Sequence, residues 1–215
     1  MKQLITASAV LALVIVLCAV AFADNHASMD TPMIAKVGDQ APGFTLMDAT
    51  GTKHSLSDFK GKFVVLEWIN FGCPFVKKHY ESGNMQKLQK TFTGKEVVWL
   101  SICSSAPGKQ GYFEGDALTK AIAGNKHKGT AYLVDADGSV GRMYNAKTTP
   151  NMYVVNPDGL LVYAGAIDDN PSPKPEVIAS SMNYVSAALD QAMAGKAVKV
   201  SATQPYGCSV KYAKK

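Results

Sequence analysis

The stretch from Lys62 to Cys103 constrains the architecture most. Phe63-Val64-Val65-Leu66 and Glu96-Val97-Val98-Trp99-Leu100-Ser101-Ile102-Cys103 are near-continuous apolar runs rich in β-branched and aromatic residues. Runs of this kind are strands covered on both faces. Between them Phe75, Tyr80, Met85, Leu88 and Phe92 give an imperfect helical stripe that stops at Thr93-Gly94, and Pro74 suits the first turn of that helix. Two covered strands joined by a helix lie parallel, with a right-handed crossover. The expectation is an α/β fold in which Cys73, after the first strand, and Cys103, ending the second, share the carboxyl-terminal edge of the sheet.

The remaining text fits around this unit. Phe44–Asp48 and Lys53–Leu56 read as short strands about the Asp48-Ala49-Thr50-Gly51 turn, and Asp116–Ala123 as a short helix. Ala131–Asp135 reads as a strand and Ser139–Asn145 as another short helix. Met152–Val155 and Leu160–Ala166, joined by Asn156-Pro157-Asp158-Gly159, have the turn chemistry of a hairpin. Residues 176–194 predict a long amphipathic helix ended by Gly195, and residues 196–215 form a tail carrying Cys208 beyond the last packed element.

At 215 residues with 47% hydrophobic composition, the chain suits one domain with a real core. The first 23 residues hold Lys2, a long apolar run and then Ala21-Phe22-Ala23, the pattern of a secretory signal cut before Asp24. A retained anchor is the alternative, since the run is about long enough to span a bilayer. A lipoprotein through Cys18 fits poorly with bulky Leu17 before it. The expected organisation is a signal at 1–23, a flexible leader at 24–36, one domain at 37–195 and the tail, with the mature protein periplasmic or secreted and free of the membrane. A net charge of +5 spread over lysines does not mass a nucleic-acid surface.

Without Cys18, three cysteines remain, Cys73, Cys103 and Cys208, in a compartment that permits disulfides. Three is odd, so at least one is free or pairs outside the chain. No Cys/His spacing suggests a metal, and Asp135-Ala136-Asp137-Gly138 lacks the Glu of an EF-hand; no cofactor is expected.

Asn70-Phe71-Gly72-Cys73-Pro74-Phe75, Lys147-Thr148-Thr149-Pro150-Asn151-Met152-Tyr153 and residues 37–68 together resemble the thioredoxin fold in its redoxin branch, which contains the peroxiredoxins of the alkyl hydroperoxide reductase/thiol-specific antioxidant family. The resemblance runs from about Val37 to Met193 and implies a thioredoxin-like mixed sheet with helices on both faces. Aligned with thioredoxins through Trp68 and Pro74, the paired cysteine positions fall on Gly72 and Phe75. Aligned with peroxiredoxins, Cys73 takes the place of the peroxidatic thiol, Asn70 that of the motif Thr and Leu66 that of its Pro. In relatives with a C-x-x-C ending at this Cys, the first would stand at Asn70. The peroxide-binding Arg of the family is matched by Pro150, and the chain's single arginine, Arg142, lies on the preceding helix.

The resemblance implies that Cys73 is a catalytic thiolate. Its helpers are the free N–H groups of the helix starting at Pro74 and Lys77 one turn on; Lys78 and His79 read as solvated helix-face residues. Asn70 either donates to the thiolate or merely forms the turn. Thr149-Pro150 resembles the cis-proline loop that faces the active Cys and pairs with an incoming substrate chain. Glu67, costly to bury, either tunes the thiol or meets a lysine. Cys208, placed like a peroxiredoxin's carboxyl-terminal resolving Cys, and Cys103, which otherwise reads as a core residue, are the internal candidates to resolve an oxidised Cys73.

These readings make the chain an exported thiol-dependent oxidoreductase acting on a peroxide or a protein disulfide and re-reduced by a partner dithiol protein. Two alternatives stay open: a non-catalytic thioredoxin-fold binding or chaperone-like module, and a thiol-disulfide reductase or isomerase of envelope proteins, which needs a second Cys.

Overall fold

The computed structural model describes residues 34–214, so the expected signal segment and most of the leader lie outside the described residues. Seven strands form one mixed sheet. In chain order they are β1 (Thr45–Asp48), β2 (Lys53–Ser55), β3 (Val64–Trp68), β4 (Val98–Cys103), β5 (Ala131–Val134), then β7 (Asn151–Val155) and β8 (Leu161–Gly165), which follow the two-residue β6 (Thr148–Thr149). The spatial order is β2-β1-β5-β4-β3-β7-β8. β3, β4 and β5 run parallel, with Val65 opposite Trp99 and Leu100 opposite Ala131, while β7 returns antiparallel on β3. The two apolar runs thus lie side by side in the centre, as their composition requires.

Alternation along β3 sends Val65 and Ile69 to one face and Val64, Leu66 and Trp68 to the other. The first face packs against α1 (Pro74–Glu81), α2 (Asn84–Thr93), α3 (Gly115–Gly124) and α5 (Tyr184–Met193), through Val76, Met85, Phe92, Leu118 and Leu189. The second packs against α4 (Ser139–Met143), through Val140, and against the tail, through Val210 and Tyr212. The chain is thioredoxin-like α/β, with helices on both faces.

Two helices are shorter than the periodicity predicts. The stripe from Phe75 to Phe92 is broken because Gly83 adopts φ +74, so α1 ends at Glu81 and α2 starts afresh. The last helix begins at Tyr184, not near residue 176: the Asn183 side chain accepts from the Ser186 N–H and caps it, and Asp169 takes the Met182 N–H. Residues 175–180 ahead of it form a separate 3-10 turn.

The tail does not trail from the domain but is laid across it. Ala202 bridges Ala164, and the Thr203 hydroxyl takes the Ala166 N–H at 2.9 Å. Cys208–Ser209 forms β9, paired antiparallel with β6. Beyond it the Val210 N–H donates to Lys147, the Ala106 N–H donates to the Lys211 carbonyl, and the Tyr212 hydroxyl donates to Ala146. These backbone groups would otherwise lack these partners.

Candidate active site

Cys73 stands where β3 hands over to α1. It is the N-cap residue of α1, with extended backbone, and Pro74 opens the helix without losing a hydrogen bond. The connecting turn is held by Asn70, which is buried: its Oδ1 accepts the Gly72 N–H at 2.8 Å and its Nδ2 donates to the Gln110 carbonyl at 3.0 Å. Both ends of the amide are spent on loops, so the turn-forming role is the one its geometry shows. Gly111, at φ +86, lies where a Cβ would collide with that amide. The Cys73 side chain is 0% exposed, and its Sγ donates to the Thr149 carbonyl at 3.0 Å.

Thr149-Pro150 is a cis peptide. β6 presents Thr149 to Cys73 on one side and pairs it with Cys208 on the other. Gly207, at φ +136, brings the tail so close that any Cβ there would collide with the Thr149 carbonyl oxygen. The approach sets Cys208 beside Cys73 across Thr149, close enough for each thiol to shift the other's acidity, and both are free thiols. Residues separated by 135 positions in sequence become a dithiol pair.

The two sulfurs titrate apart. Burial works to raise the Cys73 thiol, but the neighbouring Cys208 thiol and the backbone N–H groups of Cys208 and Val76 outweigh it and hold the thiol below its ordinary value. Burial, together with the hydrogen bond and the negative charge of Cys73, pushes Cys208 up to about 11. Cys73 is therefore the more acidic thiol of the two. Its acidity rests on these short-range neighbours; Lys77, the expected cationic helper, is exposed and lines a shallow groove beside Gly72 with Phe71 and Lys120.

Lys78 and His79 are not solvated, contrary to the sequence expectation. Both are buried. Lys78 Nζ donates to Asp168 Oδ2 at 3.2 Å, to the Asn170 carbonyl at 2.8 Å and to the Tyr206 hydroxyl at 3.3 Å. Burial holds His79 down at about 4, and its Nε2 lies 3.7 Å from Asp168 Oδ2. The turn after Gly83 and the path of the segment after β8 cover this helix face. Local pattern could not show that, because an adjacent Lys-Lys-His reads as surface.

Glu67 faces neither a thiol nor a lysine. Its carboxylate accepts from Trp99 Nε1 at 2.8 Å, Ser101 Oγ at 2.8 Å, Tyr80 at 3.0 Å and Gln89 at 3.2 Å, while burial raises its pKa. His127 closes this network on Ser101 at 2.9 Å. The Cys103 thiol donates to the Gly111 carbonyl at 3.3 Å, leaving Cys208 as the thiol that meets Cys73. Arg142 stacks on Tyr212, 4.5 Å from the ring centroid, and donates to the Ala213 carbonyl, so its guanidinium clamps the tail. Sequence reasoning missed Asp168 and Tyr206; the one available signal was the glycine before Cys208, which marks a close backbone approach.

Among curated proteins the chain is 24% identical over 150 residues to the thiol-disulfide oxidoreductase ResA of Bacillus subtilis, covering 70% of this chain and 78% of that one. It is 31% identical over 124 residues to the thioredoxin-like protein YneN of the same organism, covering 58% and 68%. Among solved structures it matches an uncharacterized conserved protein from Geobacillus kaustophilus with TM-score 0.70 at 27% identity, covering 85% of this chain and 95% of that one. A hypothetical protein from Sinorhizobium meliloti matches with TM-score 0.68 at 25% identity, covering 84% and 96%. The AhpC/TSA family model matches residues 37–164, the segment that holds β3, Cys73, the cis Thr149-Pro150 loop and the hairpin, and the chain belongs to that family.

Proposed function

We propose that the protein is a thiol-disulfide oxidoreductase whose redox pair is Cys73 and Cys208. The observation that carries this reading is the seating of both cysteines on Thr149, Cys73 hydrogen-bonded to its carbonyl and Cys208 its strand partner, which supplies the second Cys that a reductase needs and that the sequence around Cys73 lacks. The relatives named as a thiol-disulfide oxidoreductase and a thioredoxin-like protein support it.

The chemistry follows from the order of ionisation. The Cys73 thiolate attacks one sulfur of a substrate disulfide; a sulfur–sulfur bond forms to Cys73, the substrate bond breaks, and the departing thiolate takes a proton from water. Once Cys73 is in that mixed disulfide its negative charge is gone, and so are two of the influences that hold Cys208 protonated. Cys208 then loses its proton and attacks the Cys73 sulfur. The second substrate thiolate leaves, and the substrate has gained two electrons while Cys73–Cys208 has become a disulfide, which a partner dithiol protein reduces. Thr149 and Pro150 hold the site from the facing loop. The apolar first 23 residues and their Ala21-Phe22-Ala23 end support export to an oxidising compartment, where such substrates occur.

Reduced protein is mixed with a disulfide-bonded test protein, and thiol states are followed by mass spectrometry. Cys73→Ser abolishes exchange, Cys208→Ser accumulates a Cys73 mixed disulfide, and the parent ends as Cys73–Cys208. Exchange that survives Cys73→Ser, or a parent that never links the two, overturns the proposal. Linkage driven by hydrogen peroxide alone, without exchange with protein disulfides, replaces it with a thiol peroxidase.

A further inference from the structure

A buried ion pair sits beside the tail. Lys78 and Asp168 have side chains 0% and 3% exposed and form an ion pair at 3.2 Å. A buried pair of this kind costs desolvation and holds only if its remaining hydrogen-bonding capacity is met. Asp168 Oδ1 accepts from the Asn170 N–H at 3.1 Å and from the Tyr206 hydroxyl, and Oδ2 accepts from Lys78. Lys78 completes its own set with the Asn170 carbonyl and the Tyr206 oxygen. Tyr206 is the one member that comes from the tail, and only Gly207 separates it from Cys208.

The other half of the arrangement belongs to α1. Lys78 lies five residues beyond Cys73 on that helix, and Phe75 of the same helix packs edge-on against the Tyr206 ring, with centroids 5.8 Å apart. Lys78 Nζ also lies 5.4 Å from that ring's centroid. The helix that carries the nucleophile at its start therefore grips the residue two positions before the second thiol. Two residues span at most about 7 Å of chain, so fixing Tyr206 narrows the volume Cys208 can explore.

We infer that Lys78, Asp168 and Tyr206 are positioning residues for Cys208: a buried latch that raises the effective concentration of its thiol at Cys73. This inference rests on the redox pair proposed above. The step it promotes is attack of Cys208 on the Cys73 sulfur of a mixed disulfide: the Cys73–Cys208 bond forms, the bond to the outgoing group breaks, and that group departs as a thiolate which takes up the proton Cys208 gave to water. A latch contributes by pre-ordering the tail, so its loss appears in the intramolecular step and not in formation of the mixed disulfide.

The test equilibrates the full chain with reduced and oxidised glutathione and compares, by mass spectrometry, Cys73–Cys208 disulfide with the Cys73–glutathione adduct. Tyr206→Phe removes one hydroxyl and keeps the ring; Asp168→Asn removes the charge that Lys78 faces. In both, the effective concentration of Cys208 falls by about tenfold or more. If Asp168→Asn does not fold, Tyr206→Phe decides alone. A folded Tyr206→Phe protein with lowered melting temperature and an effective concentration within about twofold of the parent overturns the latch and leaves a structural ion pair. A parent that forms no Cys73–Cys208 disulfide removes the redox pair itself, and the latch with it.

Discussion

Thr149 and Cys208 are partners across a two-residue antiparallel ladder, and the same Thr149 accepts a hydrogen bond from Cys73 on its other side. One residue of the cis-proline loop thus stands between the strand–helix junction and β9.

The acidity of Cys73 depends on its neighbour. Cys208→Ala deletes the side-chain donor, leaving burial less opposed, so the Cys73 pKa rises; Cys208→Ser keeps a hydroxyl donor and falls between. Ultraviolet thiolate absorbance against pH, with Cys103 replaced, reads this directly. A Cys208→Ala protein that titrates like the parent contradicts it.

Gly207→Ala places a Cβ against the Thr149 carbonyl in a backbone conformation that side chains rarely adopt. The β6–β9 pairing opens, with a stability loss of about 1–3 kcal/mol by urea unfolding. Alkylation of Cys73, now less covered, accelerates by about tenfold or more. Unchanged stability and alkylation together would show that the tail is not held by this approach.

Asn70→Ala leaves the Gly72 N–H and the Gln110 carbonyl without their partner. The expected cost is about 1–3 kcal/mol, and Gly111→Ala, which drives a Cβ into the same amide, acts in the same direction. Both variants loosen the turn before Cys73, which hydrogen exchange at Gly72 and Cys73 detects.

His79 and His127 are each held at about 4 by burial, against an ordinary value of 6.5. Above 6.5 both are neutral in the folded and unfolded states. As pH falls through 6.5 the unfolded chain takes up protons that the folded chain refuses, so stability declines progressively down to about pH 4, by up to about 3 kcal/mol for each group. Urea unfolding at pH 7 and pH 4.5 measures it; His79→Gln with His127→Gln flattens the profile, and a parent already flat over this range would rule it out.

The central fold was legible because its signals are local. β3 and β4 are apolar throughout, Pro74 marks a helix start, and Asn156-Pro157-Asp158-Gly159 marks the hairpin. The helix limits were not, since Gly83 and Asn183 override a continuous apolar stripe through one backbone conformation and one side-chain cap. At the site, Cys73, Thr149 and Pro150 were named from the resemblance, and Cys208 as one of two candidates to meet Cys73. Lys78 and His79 were misplaced, because their burial depends on a segment about 90 residues further on.

What the sequence by itself determined was the parallel β-α-β core and the delivery of Cys73 to a helix start, since both follow from the burial of neighbouring residues on a regular backbone. Only the tertiary structure decided that the tail crosses the sheet edge, that Cys208 and not Cys103 meets Cys73, and that Asp168 and Tyr206 close over Lys78. Those outcomes depend on long-range backbone pairing and on desolvation of groups far apart in the chain, and neither leaves a periodic trace in the residues themselves.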